Sequence, residues 1–151
     1  MLLRVFGFVP ALVHTAWAQA LISRPHEHKL SSLWVSLAAC GVIALLGLNL
    51  EAALHWQLLQ PSWQQLSVYV WPLALWQMAA CLSAAHAHLP FWQSRTRRFS
   101  LQSMGINVVM VGLLLINQSQ AMSAAAHLQW IAGFMALALT LQTLSYARKL
   151  H

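Results

Sequence analysis

Acidic residues are almost missing from this chain. Glu27 and Glu51 are the only two, against eight Lys and Arg, and charged residues make up 7% of the sequence. An ordinary soluble domain carries about 25% charged residues. A soluble fold this poor in charge could not cover its surface with polar groups. Cysteine is equally scarce. Cys40 and Cys81 both fall inside apolar runs, form no CxxC, and have no His or Cys at metal-finger spacing. They read as buried free thiols, with no disulfide. The sequence also has no P-loop, no GxSxG, no HExxH and no paired acids in a loop. Most enzyme classes therefore lack their minimum parts here, and the sequence leans against an enzyme.

The basic excess is uneven. A sequence pI near 10.4 could suggest a nucleic-acid partner. The Lys and Arg residues instead sit in short clusters between long apolar runs, which is a membrane topology pattern and excludes that partner. The apolar content, 60% of residues, is gathered into five runs: residues 2–22, 33–55, 66–88, 101–117 and 123–146. About 20 mostly apolar residues are needed to cross a hydrocarbon layer of ~30 Å. The runs are continuous, unlike the alternating ~10-residue segments of a membrane barrel. The sequence predicts an all-α polytopic transmembrane bundle of five spans, or four if the first run does not cross. The connectors are too short to host a soluble domain, so residues 1–151 form a single integral-membrane domain.

Orientation follows from the connectors. Residues 23–32 carry Arg24 and Lys29, residues 89–100 carry Arg95, Arg97 and Arg98, and the tail carries Arg148 and Lys149. The other two connectors have no charge. Basic residues in short loops stay cytoplasmic, so five spans place the N-terminus outside and the C-terminus inside. The competing reading is a cleaved signal peptide, with Arg4 as its basic start and Ala18-Gln-Ala20 as a small-x-small cleavage site. Cleavage would put every basic loop outside and invert the charge rule, and His14 interrupts the apolar run. A third reading keeps the first run uncleaved but lying in the interface. The expected location is a bacterial inner membrane. Trp34, Trp56, Trp63, Trp92 and Trp130 lie near run ends, where aromatic belts form, while Trp17, Trp71 and Trp76 lie deeper and suit packing between helices.

One stretch, Ala79 to Arg98, ends an apolar run in two histidines, a proline, two aromatics and three arginines. His86 and His88 are two residues apart and point to nearly opposite sides of a regular helix, so they cannot chelate one ion from it. Pro90 stops the helix, Phe91 and Trp92 anchor it at headgroup level, and Arg95, Arg97 and Arg98 hold the loop inside. His26 and His28 fall on the same side, so a cytoplasmic histidine cluster is a weaker alternative.

Glu51 is the only carboxylate inside an apolar run. Charged groups within a span are costly and by default suggest function. His55 follows one turn later on the same face, and His127 opens the fifth run at a similar depth. One carboxylate and two imidazoles suit a divalent metal, and His55 with His127 could also grip a haem b at the outer end. Against this, Glu51 lies only ~6 Å from the outer boundary, where water can reach it. His14 is deeper, about 12 Å from the inner end of its run. It is expected to be neutral and hydrogen-bonded, to Thr15 or to another helix, with a ligand or proton-relay role as the alternative. His14 and His86 would differ in depth by about 9 Å and pair poorly around a haem.

The remaining polar groups in the runs are Asn49, Gln77, Asn107, Asn117 and Gln142, which read as interhelical glue. Gly41, Gly47, Gly105, Gly112 and Gly133 favour close helix approach. Three function classes result. The first is a non-enzymatic subunit or accessory component that docks onto other membrane proteins or copies of itself. The second is a haem- or metal-binding protein using His55, His127, Glu51 and His14. The third is a small proton-coupled transporter built on Glu51 and His14. A reporter fused after His151 tests the orientation. A fluorescent protein should light up there and an alkaline phosphatase should stay inactive; the reverse pattern refutes an inside C-terminus.

Overall fold

A computed structural model describes residues 2–23, 29–119 and 122–147, and those residues are helical with no strand among them. The chain forms α1 (Leu2–Ser23), α2 (Lys29–His55), a 3₁₀ turn (Pro61–Leu66), α3 (Ser67–Ala85), the short α4 (Leu89–Trp92), α5 (Thr96–Ser119) and α6 (Ala124–Ala147). Four of these stretches, within 32–55, 61–92, 96–116 and 124–147, are long and apolar enough to cross a membrane. α1 has 22 residues, about 33 Å of helix, the length of a fifth crossing. In hydrocarbon every backbone N–H and C=O must be satisfied within the chain, and long helices do this segment by segment.

The expected runs and the observed helices agree closely, with informative differences. α2 begins at Lys29 and α5 at Thr96, so basic connectors that read as loops are partly helical. The run at 101–117 looked shortest only because Arg97 and Arg98 interrupt its apolar pattern. As helix it continues through them, since Arg is a good helix former. The run at 66–88 ends earlier, at Ala85, and His86 to His88 form the turn into α4.

Two helix ends close in the same way. After α2, Gln57 takes a left-handed backbone (φ 54°), its N–H bonds to Leu54 O and the Leu58 N–H bonds to Ala53 O. After α4, Ser94 (φ 53°) does likewise, with its own N–H on Phe91 O and the Arg95 N–H on Pro90 O. Both are Schellman closures that satisfy the last carbonyls of a helix.

α3 is the hub. It packs against α1, α2 and α6, whereas α5 packs against α6 and the short α4 only. The core is one cluster of Phe6 and Val9 from α1, Ala39, Ile43 and Leu54 from α2, and Val70, Leu73, Ala74 and Cys81 from α3. The α3 residues stand three, four and eleven positions after Val70, one face of a helix. α2 and α3 run antiparallel: the Cys40 thiol meets Met78 O at 3.6 Å, and Gly47 lies against Val70 and Trp71. At the other side, Gln142 Nε2 donates to Ser103 Oγ (2.9 Å), the Tyr146 hydroxyl donates to Gln102 Oε1 (2.9 Å), and Gln93 Nε2 donates to Tyr146 O (3.1 Å). These bonds tie α6 to α5 and to the turn after α4. The C-terminal ends of α3 and α6 and the start of α5 therefore share one end of the bundle.

Apolar burial between helices yields less here than in water, because lipid is as apolar as the core. The cavity term remains. Phe6 is fully buried, so Phe6→Ala should cost about 1–3 kcal/mol, below the ~3–5 kcal/mol of a soluble core. Leu101, 61% exposed on α5, should be nearly neutral as Leu101→Ala. Denaturant unfolding in mixed micelles would check both, and equal losses would refute this core.

Candidate functional site

The polar cleft at the end of α2 is built by close packing. Gly47 is buried, and a Cβ there would lie 3.7 Å from the Trp71 ring. The indole of Trp71 and the side chain of Val70 therefore lie directly over α2 at this point, at ordinary contact distance from that Cβ position. One turn further along α2, the Trp71 Nε1–H donates to Glu51 Oε2 at 2.7 Å. The carboxylate is thus held by an indole from the neighbouring helix while remaining exposed. Beside it, Glu51, Leu54, His55 and Gln57 from α2 and its closing turn face Gln64 and Ser67 across a cleft of about 440 Å³. His55 is the last residue of α2.

The structure brings together part of the expected set. Glu51 and His55 line one cleft. His127 is half-buried in the first turn of α6, and α6 does not pack against α2. Among the described residues no group of three or more His, Cys, Asp or Glu side chains stands close enough to share a metal ion. His14 is exposed on α1, and the Thr15 hydroxyl donates to Ala11 O (2.9 Å), so Thr15 is not turned to the imidazole.

At the other end, His86 Nδ1 lies 2.9 Å from Leu82 O, where its N–H closes the last turn of α3. His88 precedes α4 and packs edge-on against Trp92, with ring centroids 4.5 Å apart. Both are half-buried, more enclosed than free interfacial side chains would be. Arg95, Arg97 and Arg98 are exposed. Arg24, His26, His28, Arg148 and Lys149 lie outside the described residues, as does the Asn117 side chain.

Of the amides read as glue, Gln142 bridges α6 to α5, whereas the Asn49 amide donates to Leu45 O of its own helix (2.7 Å). Gln77 is buried, its carbonyl oxygen 3.9 Å from where a Gly7 Cβ would stand. Asn107 is exposed. Sequence reasoning missed Trp71 as the partner of Glu51. The available signal was Gly47, one turn before Glu51 on the same face, a small residue of the kind found where helices pack closely.

The fold and its spans define the class: an all-α integral membrane protein. No protein-family model, no curated protein and no solved structure matches the chain.

The Trp71 to Glu51 bond makes a direct prediction. Trp71→Phe removes the donor and should lower stability in micelles by about 1 kcal/mol. Glu51→Gln keeps an acceptor and should lose less. A larger loss from Glu51→Gln would show that the carboxylate serves a different partner.

Proposed function

We propose that this chain is a non-enzymatic subunit or accessory component of a larger complex in a bacterial inner membrane, with its N-terminus outside and its C-terminus inside. One observation carries the reading. Gly41, Gly105, Gly112 and Gly133 all look onto open space, with nothing within 4 Å of a Cβ built on them. Within the bundle, the side of each glycine where a side chain would stand meets no neighbour. In a membrane a glycine on an outer helix face allows another helix to approach closely.

Two further features support it. The connectors offer no room for a soluble catalytic domain. The carboxylate of Glu51, in α2, has an interhelical bond of its own, from the Trp71 indole, which gives it a structural role. A transporter would need a polar path through the span; Glu51 lines the end cleft, and His14 is exposed on α1.

The test is purification in mild detergent from the native membrane. The expected result is a particle containing a second, stoichiometric membrane polypeptide. Gly105→Leu with Gly112→Leu should release that polypeptide while leaving the bundle's own unfolding transition unchanged. A wild-type preparation free of any other polypeptide, or one whose partner survives bulky residues at the outward glycines, overturns the proposal.

A further inference from the structure

α5 carries a second feature, on a different face from its glycines. Ser100, Met104, Asn107, Val111 and Leu114 are spaced four, three, four and three residues apart, the seam positions of a heptad. All five are exposed: Met104 by 65%, Val111 by 50% and Leu114 by 37%. Four of them, Ser100 through Val111, line a shallow groove that belongs to α5 alone. α6 covers another side. Its Gln142 bonds to Ser103 Oγ and reaches Phe99 O, and the Tyr146 ring packs on Phe99 with centroids 5.8 Å apart. At about 100° per residue, Ser103 and Phe99 lie roughly 60° and 100° round the helix from the middle of the seam, so α6 borders one edge of the groove. Val109 and Ile116 lie roughly opposite the seam.

Asn107 is the residue that selects a partner. It stands at the middle of a 24-residue helix, exposed, and its amide has no hydrogen bond to any described residue. Lipid tails cannot satisfy it, and an unpaired amide in an apolar medium is costly. Any other helix would have to present a polar group at the same depth. A second copy of this chain must do so. Copies inserted with the same topology are related by an axis along the membrane normal, so their α5 helices run parallel and each seam residue meets its own counterpart. A carboxamide carries both donor and acceptor, so it complements itself across that axis. A single central Asn in such a seam also fixes register.

We infer that this chain forms a parallel homodimer through the Ser100–Leu114 seam of α5, with the two Asn107 amides hydrogen-bonded to each other across the two-fold axis. The contact lies away from Gly105 and Gly112, so it does not depend on a foreign partner binding there.

The experiment is oxidative cross-linking of the full chain in its native membrane. Cys40 and Cys81 are first replaced by Ala, and single cysteines are then introduced. Met104→Cys and Val111→Cys should cross-link to dimers several-fold more than Val109→Cys and Ile116→Cys. Energy transfer between labelled copies, measured as the chain is diluted in lipid, should show self-association weakened roughly 3- to 30-fold by Asn107→Val, the range expected for losing one interhelical polar bond. Asn107→Gln should retain most of it. All these positions are exposed in the monomer, so the variants should leave the bundle intact, and unfolding in micelles verifies this. Equal cross-linking on both sides, no self-association, or dimers indifferent to Asn107→Val overturns the inference. Seam cysteines joined to a different polypeptide also overturn it, although that outcome would leave the accessory-subunit reading standing.

Discussion

The bundle depends on α3 lying in the middle. Three helices pack directly on it, and α5 reaches it only through α6. The α3 face of Val70, Leu73, Ala74, Gln77 and Cys81 is the surface on which α1 and α2 meet. Because lipid is as apolar as Leu, this arrangement gains little from hiding greasy surface. It gains from fit: a buried glycine packed against an indole, and a buried phenyl where three helices converge. Gly47 and Phe6 hold those two places.

Polar groups then sort by what can satisfy them. Hydroxyls inside the bundle bond back to their own helices, as Ser36 does to Ser32 O and Thr143 to Leu139 O, and so need no neighbour. Longer side chains bridge elements. Trp71 reaches Glu51, Gln142 reaches Ser103 and Tyr146 reaches Gln102. All three bridges are polar groups that would otherwise face hydrocarbon or a thin interface. Asn107 has no such bridge, and the outward glycines have no neighbour. Asn107 and two of the four glycines, Gly105 and Gly112, lie on α5, which packs only against α6 and the short α4.

Much of the architecture was readable in the residues. The run at 123–146 matches α6 within one residue at each end, and the run at 33–55 matches the end of α2 but starts four residues late, because a hydrocarbon layer demands long unbroken apolar stretches and the sequence supplies them. The run at 101–117 was drawn too short, since apolarity marks where lipid begins rather than where a helix begins. The Glu51 and His55 pairing was legible from one turn of spacing. The separation of His127 from them was not, because spans that are apolar all round carry no pattern saying which faces meet. The same blindness hid Trp71, twenty residues from Glu51 along the chain and 2.7 Å from it in space.

By itself the sequence determined that this protein is a set of membrane-length helices with its basic residues gathered in alternate connectors. Those properties follow from composition and from a bilayer of set thickness, and no tertiary contact is needed to impose them. Only the tertiary structure decided which helix is central, which carboxylate has a partner, and which face of α5 is left open. Those outcomes rest on shape complementarity between surfaces of nearly equal apolarity. Such a match is a property of pairs of helices, and no single run of residues carries it.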